Sequence, residues 1–197
     1  MRVIRAFIAI DLSPEIYEKL EKISSKLKNQ ISSIPARWVP TRNIHLTVKF
    51  LGDVSESNLE LLKRILQVES RKYSPFEISF GELGAYPTIH RPRVIWIGTK
   101  VPQELINFHH SIENETVRLG YAREKRKFSP HLTLARVSRN ANSKQVAQIG
   151  ALLGECKVGI IGAARIEKAH LYRSDLKPGG AEYTKLFSVS FMNQQTL

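Results

Sequence analysis

A single cysteine, Cys156, stands in the whole chain. It excludes an internal disulfide and a thiolate metal cluster, and its expected place is a small buried or half-buried thiol. A reducing cytoplasm suits such a chain. Long apolar runs are missing too. Arg2 and Arg5 precede the run Ala6 to Ile10, but Asp11 closes it before it reaches the length of a leader. No stretch approaches the ~20 apolar residues that span a bilayer. Aromatic residues make up only 8%, so the core is expected to be mostly aliphatic. No Gly-x-x-x-x-Gly-Lys-Ser/Thr loop occurs, which removes the usual signature of nucleotide-driven chemistry. No linker or low-complexity segment divides the chain. Acids are the scarcest charge: 18 Asp+Glu face 30 Lys+Arg, for a net charge of +12 and a pI near 10.0. A field of that sign attracts polyanions, with RNA or DNA the usual partner.

What remains is enough for a real core. The hydrophobic share is 42% of 197 residues, which suits one mid-sized domain or two closely packed lobes. Val3 to Ile10 reads as a strand. Ser13-Pro14-Glu15 reads as a helix start, with a capping hydroxyl, a first-position proline and an acid in the first turn. Ile16, Leu20, Ile23 and Leu27 follow at helical spacing. "SSIPARWVP" breaks that helix. Ser55 can cap a second helix, with Val54 and Leu59 placed as a hydrophobic staple and Leu59, Leu62 and Leu66 as its buried stripe. Strand-like runs follow at Phe76 to Phe80 and Arg93 to Ile97, joined by "GELGAYPTIHRP", which reads as a Gly/Pro-rich loop. Pro102 opens a third helix that Gly120 stops. A shorter helix spans roughly Ser143 to Leu153. Late strands are expected near Arg165 to Tyr172 and Tyr183 to Phe191.

Two stretches are nearly alike: "NIHLTVKFLG" from Asn43 and "SPHLTLARV" from Ser129. Their histidines lie 131 − 45 = 86 residues apart. Each half has a helix, a polar or basic loop, a His-Leu-Thr strand and another helix. This is a degenerate internal duplication, and it predicts two lobes sharing a cleft. Alternation along a strand sends Ile44, Leu46, Val48 and Phe50 to one face, the core. It sends His45, Thr47 and Lys49 to the other. Likewise Leu132 and Leu134 oppose His131 and Thr133. Each motif therefore sets an imidazole beside a hydroxyl, and two such pairs can converge on one ligand.

That arrangement suits phosphate-ester chemistry without a metal. Imidazoles titrate near working pH and can serve as general acid and general base. Threonine hydroxyls can donate to non-bridging phosphate oxygens. One His-x-Thr on a strand is weak evidence; two copies at matching places are much less expected by chance. A metal site is a poorer reading, because the third His, Asp or Glu ligand is missing.

The paired motifs resemble those of the 2H phosphoesterases. More specifically, the chain resembles the RNA 2′,3′-cyclic phosphodiesterases, historically called 2′-5′ RNA ligases. "RAFIAIDL", "RWV", "NIHLTVKFLGDV", "PRVIWIG", "KFSPHLTLARV" and "LYRSDLKPGGAEYTKL" occur in the family's order and cover nearly the whole chain. The resemblance implies an α+β fold, residues 1–197 forming one bilobal unit of two intertwined, pseudo-twofold-related lobes. Each lobe would carry an antiparallel sheet, with a basic cleft between them. It implies hydrolysis of a terminal 2′,3′-cyclic phosphate to a 2′-phosphate, with no cofactor and no metal. It makes His45 the proton donor, His131 the proton acceptor, and Thr47 and Thr133 the phosphate-binding hydroxyls. The implied partner is RNA with a cyclic phosphate end, tRNA fragments included. No membrane role is implied, and a cytoplasmic monomer is expected.

Other candidates stand less firmly on the sequence. The resemblance suggests that Arg136 contacts phosphate, yet three steps past Thr133 regular alternation puts it on the wrong face; only a bulge or strand end would bring it round. Phe7 and Trp38 can each stack a base; core packing is the better reading for Trp38, and the two readings are even for Phe7. Arg126 lies in the basic run Arg123 to Lys127, which is either a solvated loop or a strand-tracking patch beside His131. Lys49, on the face of His45, would lower its pKa by like-charge repulsion. His109 reads as core or boundary, and His90 as a loop residue. Two other functions stay open. One is ATP-independent 2′-5′ joining of an RNA cyclic phosphate to a 5′-hydroxyl. The other is a non-catalytic RNA- or nucleotide-binding module, which would not need both histidines.

Overall fold

The computed structural model describes residues 3–178 and 180–192. Arg2 and Gly179, used in the sequence reading, lie outside the described residues. In chain order the elements are β1 Val3–Ile10, α1 Pro14–Gln30, β2 Ala36–Trp38, β3 Leu46–Ser55, α2 Glu56–Ser70, β4 Phe76–Thr88, β5 Arg91–Lys100, α3 Gln103–Arg118, β6 His131–Val137, α4 Ser143–Glu155, β7 Ile160–Ile166, β8 Lys168–Lys177 and β9 Gly180–Ser190. A single 3-10 turn, Thr41–Asn43, precedes β3. The strands form two antiparallel sheets, ordered β3-β1-β8-β9 and β2-β6-β5-β4-β7. The fold is α+β with one His-x-Thr motif in each sheet.

Helix boundaries follow local chemistry. Ser13 and Ser55 stand at the N-caps of α1 and α2, although neither hydroxyl bonds a helix N–H. Gly120, at φ +89°, takes the left-handed conformation that ends α3 cheaply only for glycine. The capping box of α4 is complete: Asn142 accepts from the Gln145 N–H, and the Gln145 side chain accepts from the Asn142 N–H. Helix α4 runs two residues past the expected Leu153, through Gly154 to Glu155.

The sheets do not divide the chain into halves. The first sheet takes β1 and β3 from the beginning and β8 and β9 from the end. The second takes the middle of the chain plus the three-residue strand β2. Helix α1, early in the chain, packs against β7 of the second sheet, where Lys19 donates to the Ile161 carbonyl at 2.6 Å. Helices α2 and α3 cover the first sheet, and α4 packs on β5 of the second. The stripe residues Ile16, Leu20, Leu27, Leu62 and Leu66 are buried, as are Ile8, Leu46, Ile95 and Leu132. Each such side chain contributes roughly 1.5–3 kcal/mol by leaving water.

Three sequence expectations are corrected. The Gly/Pro-rich "GELGAYPTIHRP" is no loop: most of it continues β4 and pairs with β5, from Gly81↔Gly98 to Thr88↔Arg91. A bulge at Glu82, at φ +60°, absorbs the irregularity. Arg165 to Tyr172 is not one strand: β7 ends at Ile166 in the second sheet, and β8 starts at Lys168 in the first. The chain changes sheets across Glu167. Finally, alternation along β3 breaks. Ala9 pairs with Thr47 and Ile8 with Lys49, so Val48 is an extra residue. From that point the faces exchange. Phe50 is 67% exposed instead of buried, and Lys49 is turned inward at 3% exposure.

Candidate active site

Both histidines stand where a strand begins. His131 is the first residue of β6, and His45 immediately precedes β3. In each case Nδ1 lies against the backbone carbonyl two residues earlier: His45 against Asn43 at 2.9 Å, His131 against Ser129 at 2.8 Å. A carbonyl only accepts, so each Nδ1 carries the proton and donates it. That choice fixes each ring's orientation and leaves Nε2 as the reactive nitrogen. Thr47 and Thr133, two residues on, are half-buried on the same faces as their histidines.

The bulge in β3 has a twin in β6. Ile95 pairs with Ala135 and Trp96 with Thr133, so Leu134 is the extra residue. Val48 and Leu134 are both the third residue after the motif histidine. Each bulge buries the next position, Lys49 or Ala135, and exposes the one after it, Phe50 or Arg136. This is how Arg136 reaches the face of His131 and Thr133, where its charge bears on the imidazole. Lys49 makes the opposite journey. It meets Glu113 of α3 at 2.7 Å and donates its hydrogen bond to the Ala122 carbonyl at 2.7 Å. The expected Lys49 repulsion on His45 is absent: desolvation, the Asn43 carbonyl and Asp11 set that imidazole.

His45 sits in a nest of rings. Phe7 lies nearly parallel to it, centroids 4.6 Å apart, and Tyr183 stands edge-on at 5.2 Å. Tyr172 is nearly parallel to Phe7 at 5.2 Å. Burial pushes His45 down to about 4, while the Asn43 carbonyl and the Asp11 carboxylate oppose the shift. Asp11 is itself organised. Tyr172 donates to its Oδ1 at 2.5 Å and Lys185 to its Oδ2 at 2.7 Å. His170 Nε2 lies 3.5 Å from Oδ2, and its Nδ1 is 2.9 Å from the Ser188 hydroxyl.

His131 has other neighbours. Tyr86 stands edge-on at 5.0 Å and Trp96 is tilted at 6.2 Å. Gly84 makes room for Trp96, since a Cβ there would meet the indole at 2.1 Å. Burial lowers the His131 pKa, the Ser129 carbonyl opposes it, and Arg136 and Arg126 lower it further.

The two motifs lie together across the lobes. Arg136 acts on both His131 and the Tyr183 phenol, and the Tyr183 ring contacts His45. The base-stacking reading of Phe7 is corrected. At 2% exposure its ring has no open face, and its contacts are with His45, Tyr172, Tyr183 and Phe50. Trp38 is half-buried against the core. Arg126 is exposed, its charge reaches His131, and it pairs with Glu124 at 2.9 Å. His109 is buried, stacked on Phe128 at 3.9 Å. His90 is exposed in the β4–β5 turn. Among the described residues no three His, Cys, Asp or Glu side chains form a group that could hold a metal, and no helix is long and apolar enough to cross a membrane. The sequence reading missed Asp11, Tyr172, Tyr183, Tyr86 and Trp96. Strand alternation could have found Tyr172 and Tyr183; nothing local marks Asp11.

Comparison with known proteins agrees with this arrangement. The family model for LigT-like phosphoesterases matches twice, over residues 10–96 and 97–183, one histidine motif in each. An RNA 2′,3′-cyclic phosphodiesterase of Methanothermobacter thermautotrophicus is 33% identical over 93% of this chain and 96% of its own length. One of Archaeoglobus fulgidus is 34% identical over 92% of this chain and 97% of its own. Among solved structures, E. coli LigT complexed with 3′-AMP superposes with TM-score 0.76 at 25% identity, covering 98% of this chain and 100% of that one.

Proposed function

The chain belongs to the LigT-like phosphoesterase family, and from that premise we propose that it hydrolyses the 2′,3′-cyclic phosphate at an RNA end to a 2′-phosphate, without a metal. The observation that carries this reading is the matched pair of clamped imidazoles set in unlike electrostatic surroundings. Asp11 favours the charged form of His45, which suits an acid. Arg136 and Arg126 favour the neutral form of His131, which suits a base.

In this reading His131 Nε2 takes a proton from water, and the water oxygen attacks phosphorus in line with O3′. The P–O3′ bond breaks, and His45 Nε2–H gives its proton to O3′. The Thr47 and Thr133 hydroxyls donate to the non-bridging oxygens, and the Arg136 guanidinium neutralises their charge. Free His45, held near 4, is mostly neutral at pH 7. The bound phosphate anion supplies the opposite charge that raises it, so the acid forms with the complex. Solvent exchange returns both rings to their starting states. Attack by an RNA 5′-hydroxyl in place of water would give a 2′-5′ linkage, and water's concentration makes hydrolysis the main path.

The test is a short RNA ending in a 2′,3′-cyclic phosphate, incubated in ¹⁸O-water with EDTA and read by phosphorus NMR. A 2′-phosphate carrying one ¹⁸O is expected. A 3′-phosphate would exchange the two histidine roles, and loss of activity restored by added zinc or manganese would overturn the metal-free mechanism.

A further inference from the structure

Strand β2 pairs antiparallel with β6, and its register sets Arg37 directly opposite Arg136. Opposed residues of paired strands project to the same face, so Arg37 lies on the face that carries His131 and Thr133. Like charges directly opposite on a sheet destabilise it. Both side chains are exposed, and neither has a carboxylate partner among the described residues.

Arg37 also reaches across to the other lobe. Its Nη2 lies 3.1 Å from the point a Cβ on Gly180 would occupy, at the first residue of β9. The next residue, Ala181, accepts from the Asn43 amide at 2.8 Å, two positions before His45. Three residues along β9 from Gly180 stands Tyr183, whose phenol feels Arg136, Arg37 and Arg5 and whose ring touches His45. The arginine pair thus lies between the lobes, Arg136 on the strand that carries His131 and Arg37 one strand outward. A polyanion leaving the paired histidines along this side meets unneutralised positive charge held in place by a sheet register.

We propose that Arg37, set opposite Arg136, binds an internal phosphodiester upstream of the terminal cyclic phosphate, so that the site selects RNA ends over cyclic mononucleotides. The inference rests on the cyclic-phosphate reading above and adds a specificity residue to it. A guanidinium fork suits a phosphodiester because it presents two parallel donors to two oxygens. The repulsion of the opposed pair is then relieved by two phosphates of one substrate, the internal phosphodiester on Arg37 and the terminal cyclic phosphate on Arg136.

The experiment compares two substrates with the same terminal nucleoside, adenosine 2′,3′-cyclic phosphate and the trinucleotide ApApA ending in a 2′,3′-cyclic phosphate. Arg37→Gln should lower the trinucleotide-to-mononucleotide ratio of kcat/KM about tenfold, the scale of one phosphate contact. The salt slope for trinucleotide binding should fall by about 0.7, one released counterion on a single strand. Arg165→Gln removes one charge from β7, at the far edge of the same sheet, and should leave the ratio where it is. An equal fall on both substrates would show that Arg37 only tethers β9, and would overturn the proposal. So would an equal effect of Arg165→Gln, which would reduce the result to net charge. Affinities for the trinucleotide and mononucleotide 2′-phosphates, measured by titration calorimetry, read the same selectivity without turnover. If neither cyclic phosphate is hydrolysed, the catalytic reading fails alone, and the binding ratio still decides the role of Arg37.

Discussion

His45 stands among Phe7, Tyr172 and Tyr183, with the carboxylate of Asp11 acting on it; His131 stands beside Tyr86 and Trp96, with Arg136 and Arg126 acting on it. Beneath this difference the backbones match. Each imidazole is clamped to the carbonyl two residues back, each threonine follows two residues on, and each strand bulges at the next residue. The duplicated strand therefore supplies geometry, and unduplicated neighbours supply polarity. Gly98 pairs with His131, whereas Asp11 follows Ile10, which pairs with Leu46 beside His45. One imidazole has an acid near it and the other has a glycine.

The contrast can be broken most severely at the bulges. Lys49 and Ala135 hold the same step, but only Lys49 brings a charge into the interior. Lys49→Ala takes the lysine charge from buried Glu113, leaving it only the Glu124 N–H and the His109 imidazole, and should cost about 3–5 kcal/mol in a denaturant melt. Ala135→Ser should cost far less. Lys49→Met combined with Glu113→Leu should recover most of the loss, and a double variant as unstable as the single would refute the pairing account.

Removing the matched elements comes next. His45→Ala and His131→Ala should each slow hydrolysis by about 10²-fold or more while the fold persists. A substrate with a better leaving group at the 3′ position should rescue His45→Ala and not His131→Ala. Equal rescue of both would abolish the distinction between the lobes. A smaller effect isolates polarity from geometry. Asp11→Asn keeps the size of the side chain but removes its charge from His45, and should lower the rate about tenfold at neutral pH. The high-pH limb of kcat should move downward, because the acid loses support.

The gentlest probe is titration. In the free protein His45 should titrate near 4, and His131 should titrate below the ordinary imidazole range, as read by histidine NMR. His109, on a helix packed against the first sheet, is also depressed to about 4 by burial. Unfolded histidines bind protons near 6.5, so the unfolded state holds more protons than the fold between about 6.5 and 4. Stability should fall as pH drops through that window. Amide exchange should quicken first in β1 and β3, then in β5 and β6.

Much of this was legible in the sequence. The paired motifs, the helix starts at Ser13 and Ser55, the stop at Gly120 and the shared face of each histidine and threonine all follow from periodicity and capping. The bulges were not, because alternation carries no mark of where it slips. Lys49 and Phe50 look right in either phase until the partner strand fixes the register. Arg136 illustrates the same limit: its reading as a phosphate ligand conflicted with parity, and the extra residue Leu134 removes the conflict. The short strand β2 is invisible for another reason. Three residues give no period, and their place in the second sheet is decided by β6, about a hundred positions away.

The sheet that carries His45 pairs Ala6 with Arg173, 173 − 6 = 167 residues later. On a ribosome adding about 5–20 residues per second, β1 and β3 wait for nearly the whole chain to be made before β8 arrives between β1 and β9. A two-stranded ribbon is marginal in water, so the first-made strands are among the last to be secured. The middle segment β4 to β7 holds four of the five strands of its sheet in one continuous run, and can assemble while the end is still being translated. Contiguity in sequence thus favours the half-site with His131 as the first that can form, with the half-site of His45 closing on it once β8 and β9 have been made.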